Sequence, residues 1–215
     1  MAGKDHTFTL ENELTVTYGQ INGLAGDFYG TYDPISDGFN DTEQAIRFVN
    51  AYNTLAARYA GQPAEAIEIL GILKKEVDTV NNALAHHQDP SVAYNSLHNE
   101  DWTFQKLTLF RSGIPSYFGL ARVNWDHFGA DARTAYNAGH SKALDVAITG
   151  DLEKAYAMNA FADHFLEDSF SAGHLRTPRR YLHSSSWLLP APDYCAKVRM
   201  KTNPKIEKIQ ALTVS

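Results

Sequence analysis

His164, Asp168 and His174 stand in an H-x3-D-x5-H pattern inside the stretch Asp151 to Arg180, DLEKAYAMNAFADHFLEDSFSAGHLRTPRR. Residues four apart on a helix share a face, about one turn from each other. His164 and Asp168 would therefore present an imidazole and a carboxylate to the same point, and those donor types can hold one divalent cation. Ser171-Ala172-Gly173 follows, and the glycine can release the chain from the helix and fold His174 back as a third donor. The same spacing is also that of an ordinary surface pair on a helix. The setting favours chemistry: Ala160, Phe161, Phe165 and Phe170 surround the polar residues. A polar group among aromatics needs a partner, whether a metal or a buried hydrogen bond.

The elements that must position this motif are mostly helical in period. Thr149-Gly150-Asp151 reads as a turn with Asp151 as the N-cap of the motif helix. Before it, Trp125, Phe128, Ala132, Ala135, Tyr136, Ala143, Leu144 and Ala147 recur at helical spacing. They predict a helix pair or one bent helix, with Gly129 and Gly139 as weak points, and His140 reads as a packing or supporting histidine. Residues 1–13 are polar and read as a loose start. Val16, Ile21, Leu24, Ala25 and Phe28 predict a Gly-rich helix from Thr15, with Asp27 near its end. YDPISDGFND is then a loop. Asp41 and Gln44 fit a capping box at the start of a helix that Gly61 ends. Pro63 suits the first turn of the next helix, whose buried stripe would be Ile67, Leu70, Ile72 or Leu73, and Val77. His86 and His87, adjacent and just before Asp89-Pro90, read as loop residues, as does His98; WTFQKLTLF is a short helix or strand. After Arg180, the Ser run and two prolines of YLHSSSWLLPAPDYC read as irregular structure.

The chain has 215 residues, enough for one domain with a proper core. Hydrophobic residues at 44% and charged ones at 20% match an ordinary globular protein. A net charge of −6 provides no broad attraction for nucleic acid, which enters only as a substrate held by a metal. The single cysteine, Cys195, excludes an internal disulfide framework. The start MAGKDHTFTLENEL has no apolar signal region, and no run approaches the ~18 apolar residues of a spanning helix. A cytoplasmic protein is the expectation, its oligomeric state open. Residues 193–215 form a separate basic segment, with Lys197, Arg199, Lys201, Lys205 and Lys208 against Glu207. Such a tail can touch phosphate or a membrane surface, and more often is solvated.

With the His-Phe pair His127-Phe128 upstream of an alanine-rich helix, the H-x3-D-x5-H spacing resembles the zinc-dependent phospholipase C and P1 nuclease superfamily over about Trp125 to His174. The resemblance implies an all-α, single-domain multi-helix bundle over residues 1–192. It also implies an enzyme that hydrolyses phosphodiesters with up to three zinc ions in a cleft. Carried over, His127, His164 and Asp168 would be ligands of the first zinc, Asp168 bridging to a second that His174 holds. Asp27, in AGDFYG, is the match in local context for the remaining first-site carboxylate, and Asp126 competes with it. The ligand supply differs by site. One zinc is covered. The second lacks the later His and acidic pair, for His183 is followed four residues on by Trp187. The third lacks its usual histidine, Gln20 standing in the helical context, and His6 has no matching surroundings.

The implied chemistry is attack by zinc-activated water on the phosphorus of a phospholipid or nucleic acid phosphodiester. Asp27 or Glu167 would serve as general base. Arg176, Arg179 and Arg180 would grip phosphate oxygens, unless they pair with helix carbonyls or surface acids instead. The competing expectation is a non-catalytic helical scaffold of the same fold, binding a small ligand or a protein partner.

Overall fold

The computed structural model describes residues 6–58, 63–97 and 99–184. These form a mostly helical protein with one two-stranded sheet, consistent with the expected all-α class. The segment 193–215, with its basic residues, lies outside the described residues, as do Cys195, Trp187 and His98.

The chain opens on an antiparallel hairpin, β1 (Thr7–Thr9) and β2 (Thr15–Thr17), pairing Phe8 with Val16. This corrects the loose start over residues 6–13 and moves the start of the helix expected from Thr15 to Tyr18, Thr15–Thr17 being strand. Thr-Phe-Thr and Thr-Val-Thr alternate with a period of two, and Phe8, Leu10, Leu14 and Val16 are all buried. Helix α1 (Tyr18–Leu24) follows directly, capped by Thr17 with Gln20 in a capping box. Asp27 lies in the turn beyond its end.

Helix α2 (Asp41–Ala56) is capped by Asn40, whose side chain accepts from Glu43 N; the cap stands one residue before the expected Asp41. The Glu43 carboxylate accepts from Phe39 N, the residue before the cap, so the reciprocal bond of a capping box is not formed at Asn40. Helix α3 (Pro63–Ala85) begins at the predicted proline; Leu70, Ile72 and Leu73 of the expected stripe pack on the core beside buried Ala66, Ile69 and Ala83, whereas Ile67 and Val77 are exposed. The Glu65 carboxylate takes the Arg111 guanidinium in a nearly buried ion pair. Helix α4 (Pro90–Asn95) is capped by Asp89, and His86 extends the α3 C-terminus, its ring Nδ1 2.8 Å from Asn82 O. Helices α5 (Asp101–Thr108) and α6 (Tyr117–Arg122) pack beside them, so WTFQKLTLF is helical.

A 3-10 turn at Asn124–His127 leads into α7 (Gly129–Ile148), the break falling at Gly129, whose φ is +55°. Gly139 is no weak point. It sits inside α7 where a Cβ would lie 2.3 Å from the Phe48 ring and 2.7 Å from Ala162 Cβ. That close approach lets α7 lie against α8 (Leu152–Asp168), capped by Asp151 as predicted. Ala135, Ala138 and Ala143 of α7 and Ala157, Ala160 and Ala162 of α8 are buried between them and the α2 aromatics. Short helices α9 (Ala172–Leu175) and α10 (Arg179–Ser184) close the described chain, α10 replacing the irregular start expected after Arg180. No described helix is long and apolar enough to cross a membrane.

Candidate metal centre

Four segments converge on one point: the turn after α1, the 3-10 turn before α7, the last turn of α8, and α9. His164 lies on the inner face of α8 with Ala160, Phe161 and Phe165, all buried. Its Nδ1–H donates to the carbonyl of Asn22, in the last turn of α1, at 3.1 Å. That bond holds the proton on Nδ1 and leaves the Nε2 lone pair facing the site, the arrangement that orients metal-ligating histidines.

His127 is buried at the end of the 3-10 turn and meets His164 edge to face, the ring centroids 4.8 Å apart. Its Nδ1–H donates to Asp168 Oδ2 at 2.6 Å, and the same nitrogen is 3.0 Å from His164 Nε2. Asp168 Oδ2 is also 3.4 Å from His164 Nε2. The other carboxylate oxygen, Oδ1, faces His174 Nδ1 at 2.9 Å, off the line of a good hydrogen bond. Phe128 packs on the His174 ring at 4.4 Å. Asp168 thus turns one oxygen to the His127–His164 pair and the other to His174.

The spacing fits a tetrahedral cation. Ligand bonds of about 2.0–2.2 Å place neighbouring donors roughly 3.3 Å apart. The triangle of His127 Nδ1, His164 Nε2 and Asp168 Oδ2 has edges of 2.6, 3.0 and 3.4 Å: the last matches, and the His127–Asp168 edge, closed by a shared proton, must open by roughly 0.7 Å to admit a cation. Asp27 is exposed, and it, His127 and His164 each offer a donor atom within 4.8 Å of the others, a group that does not include Asp168. Asp126 is turned away. Its carboxylate accepts from Ile35 N at 2.5 Å and Ser36 N at 3.0 Å, so it ties the loop before α2 to the 3-10 turn. Between the two competing acids, the geometry brings Asp27 to the histidines and uses Asp126 as a loop anchor.

Charge within the centre is strongly coupled. Burial pushes the Asp168 carboxyl up, but His164, His127 and His174 around it hold it far below the usual carboxylate range. Burial also opposes charge on His127, and Asp168, then Asp27 and Asp126, outweigh it and raise the imidazolium to about 9. His164 goes the other way, lowered by burial and by His127 despite Asp168. An ionised Asp168, a neutral His164 and a protonated His127 result. The His127 proton occupies the space between donors that a cation would take, so metal must displace it.

The remaining candidates scatter. Glu167, beside Asn22, carries a carboxyl raised by burial and by Asp163 and Asp168. Phe170 is exposed rather than part of the surrounding wall. Arg176 is exposed and makes no ion pair among the described residues. Arg179 is buried, donating to Asn124 Oδ1 at 2.9 Å and Ala121 O at 2.8 Å. Arg180 forks onto Asp131 at 3.1 and 3.0 Å, pairs with Asp37, and lies over the Trp125 ring. These two arginines pin α10 over the 3-10 turn and face structural partners. His140 supports rather than ligates, its ring Nδ1–H donating to Asn159 Oδ1 at 2.7 Å.

One functional position escaped the sequence reading. Gly26, with φ +66°, lies so close to the histidines that a Cβ would stand 2.7 Å from His127 Cε1 and 2.9 Å from His164 Cδ2. A glycine immediately before the candidate carboxylate, in Ala25-Gly26-Asp27, was the available signal. A shallow cleft lined by Gly26, Tyr29, Pro34, Leu120, Asn124 and His127 opens beside the centre. Comparisons with protein-family models, with curated proteins and with solved structures return no match to this chain.

Proposed function

We propose that this chain is a zinc-dependent hydrolase of phosphodiesters, its fold of the phospholipase C/P1 nuclease type, acting on a phospholipid headgroup or a nucleic acid. The observation that carries the reading is the triangle of His127 Nδ1, His164 Nε2 and Asp168 Oδ2, brought from two distant segments to within 2.6–3.4 Å. His127, His164, Asp168 and Asp27 would hold one cation, and Asp168 Oδ1 with His174 offers a start on a second site. A divalent cation there supplies Lewis acidity toward phosphoryl oxygen and water of lowered pKa. The chain's own residues do the rest. The Asn22 carbonyl keeps His164 in the ligating tautomer, and Phe165 and Phe128 exclude water behind the histidines. Glu167, its carboxyl raised by burial and by Asp163 and Asp168, would serve as general base. Arg176 is the exposed cation for a phosphate oxygen.

The test is zinc content per chain, measured on the parent and on His164→Ala, alongside hydrolysis of bis(p-nitrophenyl) phosphate. About one zinc in the parent, lost with activity in the variant, is expected; a parent without zinc overturns the reading. Glu167→Gln should keep its zinc and lose about 10²–10⁴ in rate. One observation favours a second reading, a non-catalytic scaffold that binds a small ligand or protein: two of the three arginines beside the centre are consumed by Asp131, Asp37 and Asn124. Zinc bound without phosphodiester turnover would select it.

A further inference from the structure

A second polar cluster lies one turn before the metal centre on α8, and its donors and acceptors can be assigned without conflict. Tyr18, the first residue of α1, donates its Oη–H to Asp163 Oδ2 at 2.5 Å. Tyr18 Oη in turn accepts from Asn159 Nδ2 at 2.8 Å, and that amide also reaches Asp163 Oδ2 at 3.3 Å. The other end of Asn159, Oδ1, takes the His140 Nδ1–H at 2.7 Å. His140 is stacked on Tyr136, one turn earlier on α7, with centroids 5.4 Å apart. The phenol oxygen ties α1 to α8, and Asn159 carries the connection on to α7. Every group is half-buried, and none faces the cleft beside the histidines.

The helical repeat gives this cluster its consequence. Tyr18 and Asn22 are four apart on α1, and Asp163 and Glu167 are four apart on α8, so the helices meet with Tyr18 against Asp163 and Asn22 near Glu167. The Asn22 carbonyl that receives His164 Nδ1–H is therefore placed by the Tyr18 bond one turn away. Slippage of α1 along α8 by one residue moves that carbonyl about 1.5 Å, beyond hydrogen-bond reach of a ring fixed at 3.1 Å.

We infer that Tyr18 is a positioning residue for the metal centre: through Asp163 and Asn159 it registers α1 on α8 so that the Asn22 carbonyl holds His164 with Nε2 free for a cation. This rests on the metal-site reading for its consequence, but the tautomer it specifies exists with or without metal. A partner that orients a ligating histidine is worth about 10–100-fold in metal affinity when removed.

The experiment uses the full chain and Tyr18→Phe, which deletes one oxygen and keeps the ring. Ile69→Val, in the α3 core, serves as a control of comparable stability loss. Long-range 1H–15N NMR of the metal-free proteins reads the His164 tautomer, and competition with a zinc chelator reads affinity. Expected are a single Nδ1–H tautomer in the parent and in Ile69→Val, a mixture in Tyr18→Phe, and a zinc affinity at least tenfold weaker only in Tyr18→Phe. An unchanged tautomer in Tyr18→Phe, or an affinity loss matched by Ile69→Val, overturns the inference. If the parent binds no zinc while the tautomers differ as stated, the metal reading fails and the positioning role of Tyr18 stands.

Discussion

Gly26 is the position where the smallest substitution reaches the candidate metal centre most directly. Its φ of +66° places it in the left-handed region, and its N–H is committed to Tyr29 O at 3.0 Å, so the turn cannot relax freely. In Gly26→Ala the backbone alone costs about 1–2 kcal/mol. The new Cβ then meets His127 Cε1 at 2.7 Å, His127 Nε2 at 2.9 Å and His164 Cδ2 at 2.9 Å. Neither ring can swing away. His127 is held by Asp168 and His164 by the Asn22 carbonyl, so the contact acts as overpacking of a filled core, about 1–3 kcal/mol more. Together these give roughly 2–5 kcal/mol, a large share of the 5–15 kcal/mol of a typical domain. Urea unfolding at pH 7 in EDTA measures the first effect, and zinc competition measures the displacement of the rings. Gly19→Ala is the control: that glycine is inside α1 with nothing within 4 Å of a Cβ, so the same change should stabilise by up to about 1 kcal/mol. A Gly26→Ala protein within 0.5 kcal/mol of the parent, with parental zinc affinity, would refute the close approach.

Four further outcomes follow from the charges. In metal-free protein, His127 is raised from 6.5 to about 9, so the stability it contributes is whole below pH 6.5 and is lost as pH rises through 9. Asp168 causes that rise, so the urea midpoint should fall between pH 6.5 and 9 in the parent and stay level in Asp168→Asn; equal slopes would refute the pairing. Zinc should reverse the trend, binding tighter as pH rises, because it competes with the His127 proton. Arg111→Met should cost about 3–5 kcal/mol by stranding Glu65, and Glu65→Leu/Arg111→Met much less, as read by thermal or urea unfolding; an undamaged single variant would show the pair to be solvated. If the chain turns over a phosphodiester, Arg176→Ala should raise KM about tenfold at unchanged kcat, whereas Arg180→Ala, already occupied by Asp131 and Asp37, should leave KM alone.

What the sequence disclosed and what it hid divide along the range of the interactions. The helices α2, α3, α7 and α8 were legible because hydrophobic period and caps such as Asp151 act within a few residues. The hairpin was not, since three-residue strands carry almost no periodic signal and Phe8 is buried by distant neighbours such as Val16 and Tyr18. Hydrophobic period places Ile67 in the core of α3, yet it is exposed where a distant cation, Arg111, pairs with Glu65; no window of α3 contains that fact. The centre shows the same split. His164 and Asp168 share one helix face, so their pairing could be read from spacing, and His174 follows within a turn of its release. Asp27 and Asp126 could not be told apart until Asp126 was seen accepting from Ile35 and Ser36.

A metal centre is most exposed to error at the contacts that cross between distant segments, because local helix formation does nothing to enforce them. Here those contacts are few: His164 with Asn22, His127 with Asp168, and Gly26 against both rings. Each is backed by a group that does no chemistry, Tyr18 for α1, Asp126 for the 3-10 turn, and Arg111, which donates to the Phe28 carbonyl next to Asp27. The two histidines and the aspartate can arrive together because these three anchors fix, independently of any cation, the segments that carry them.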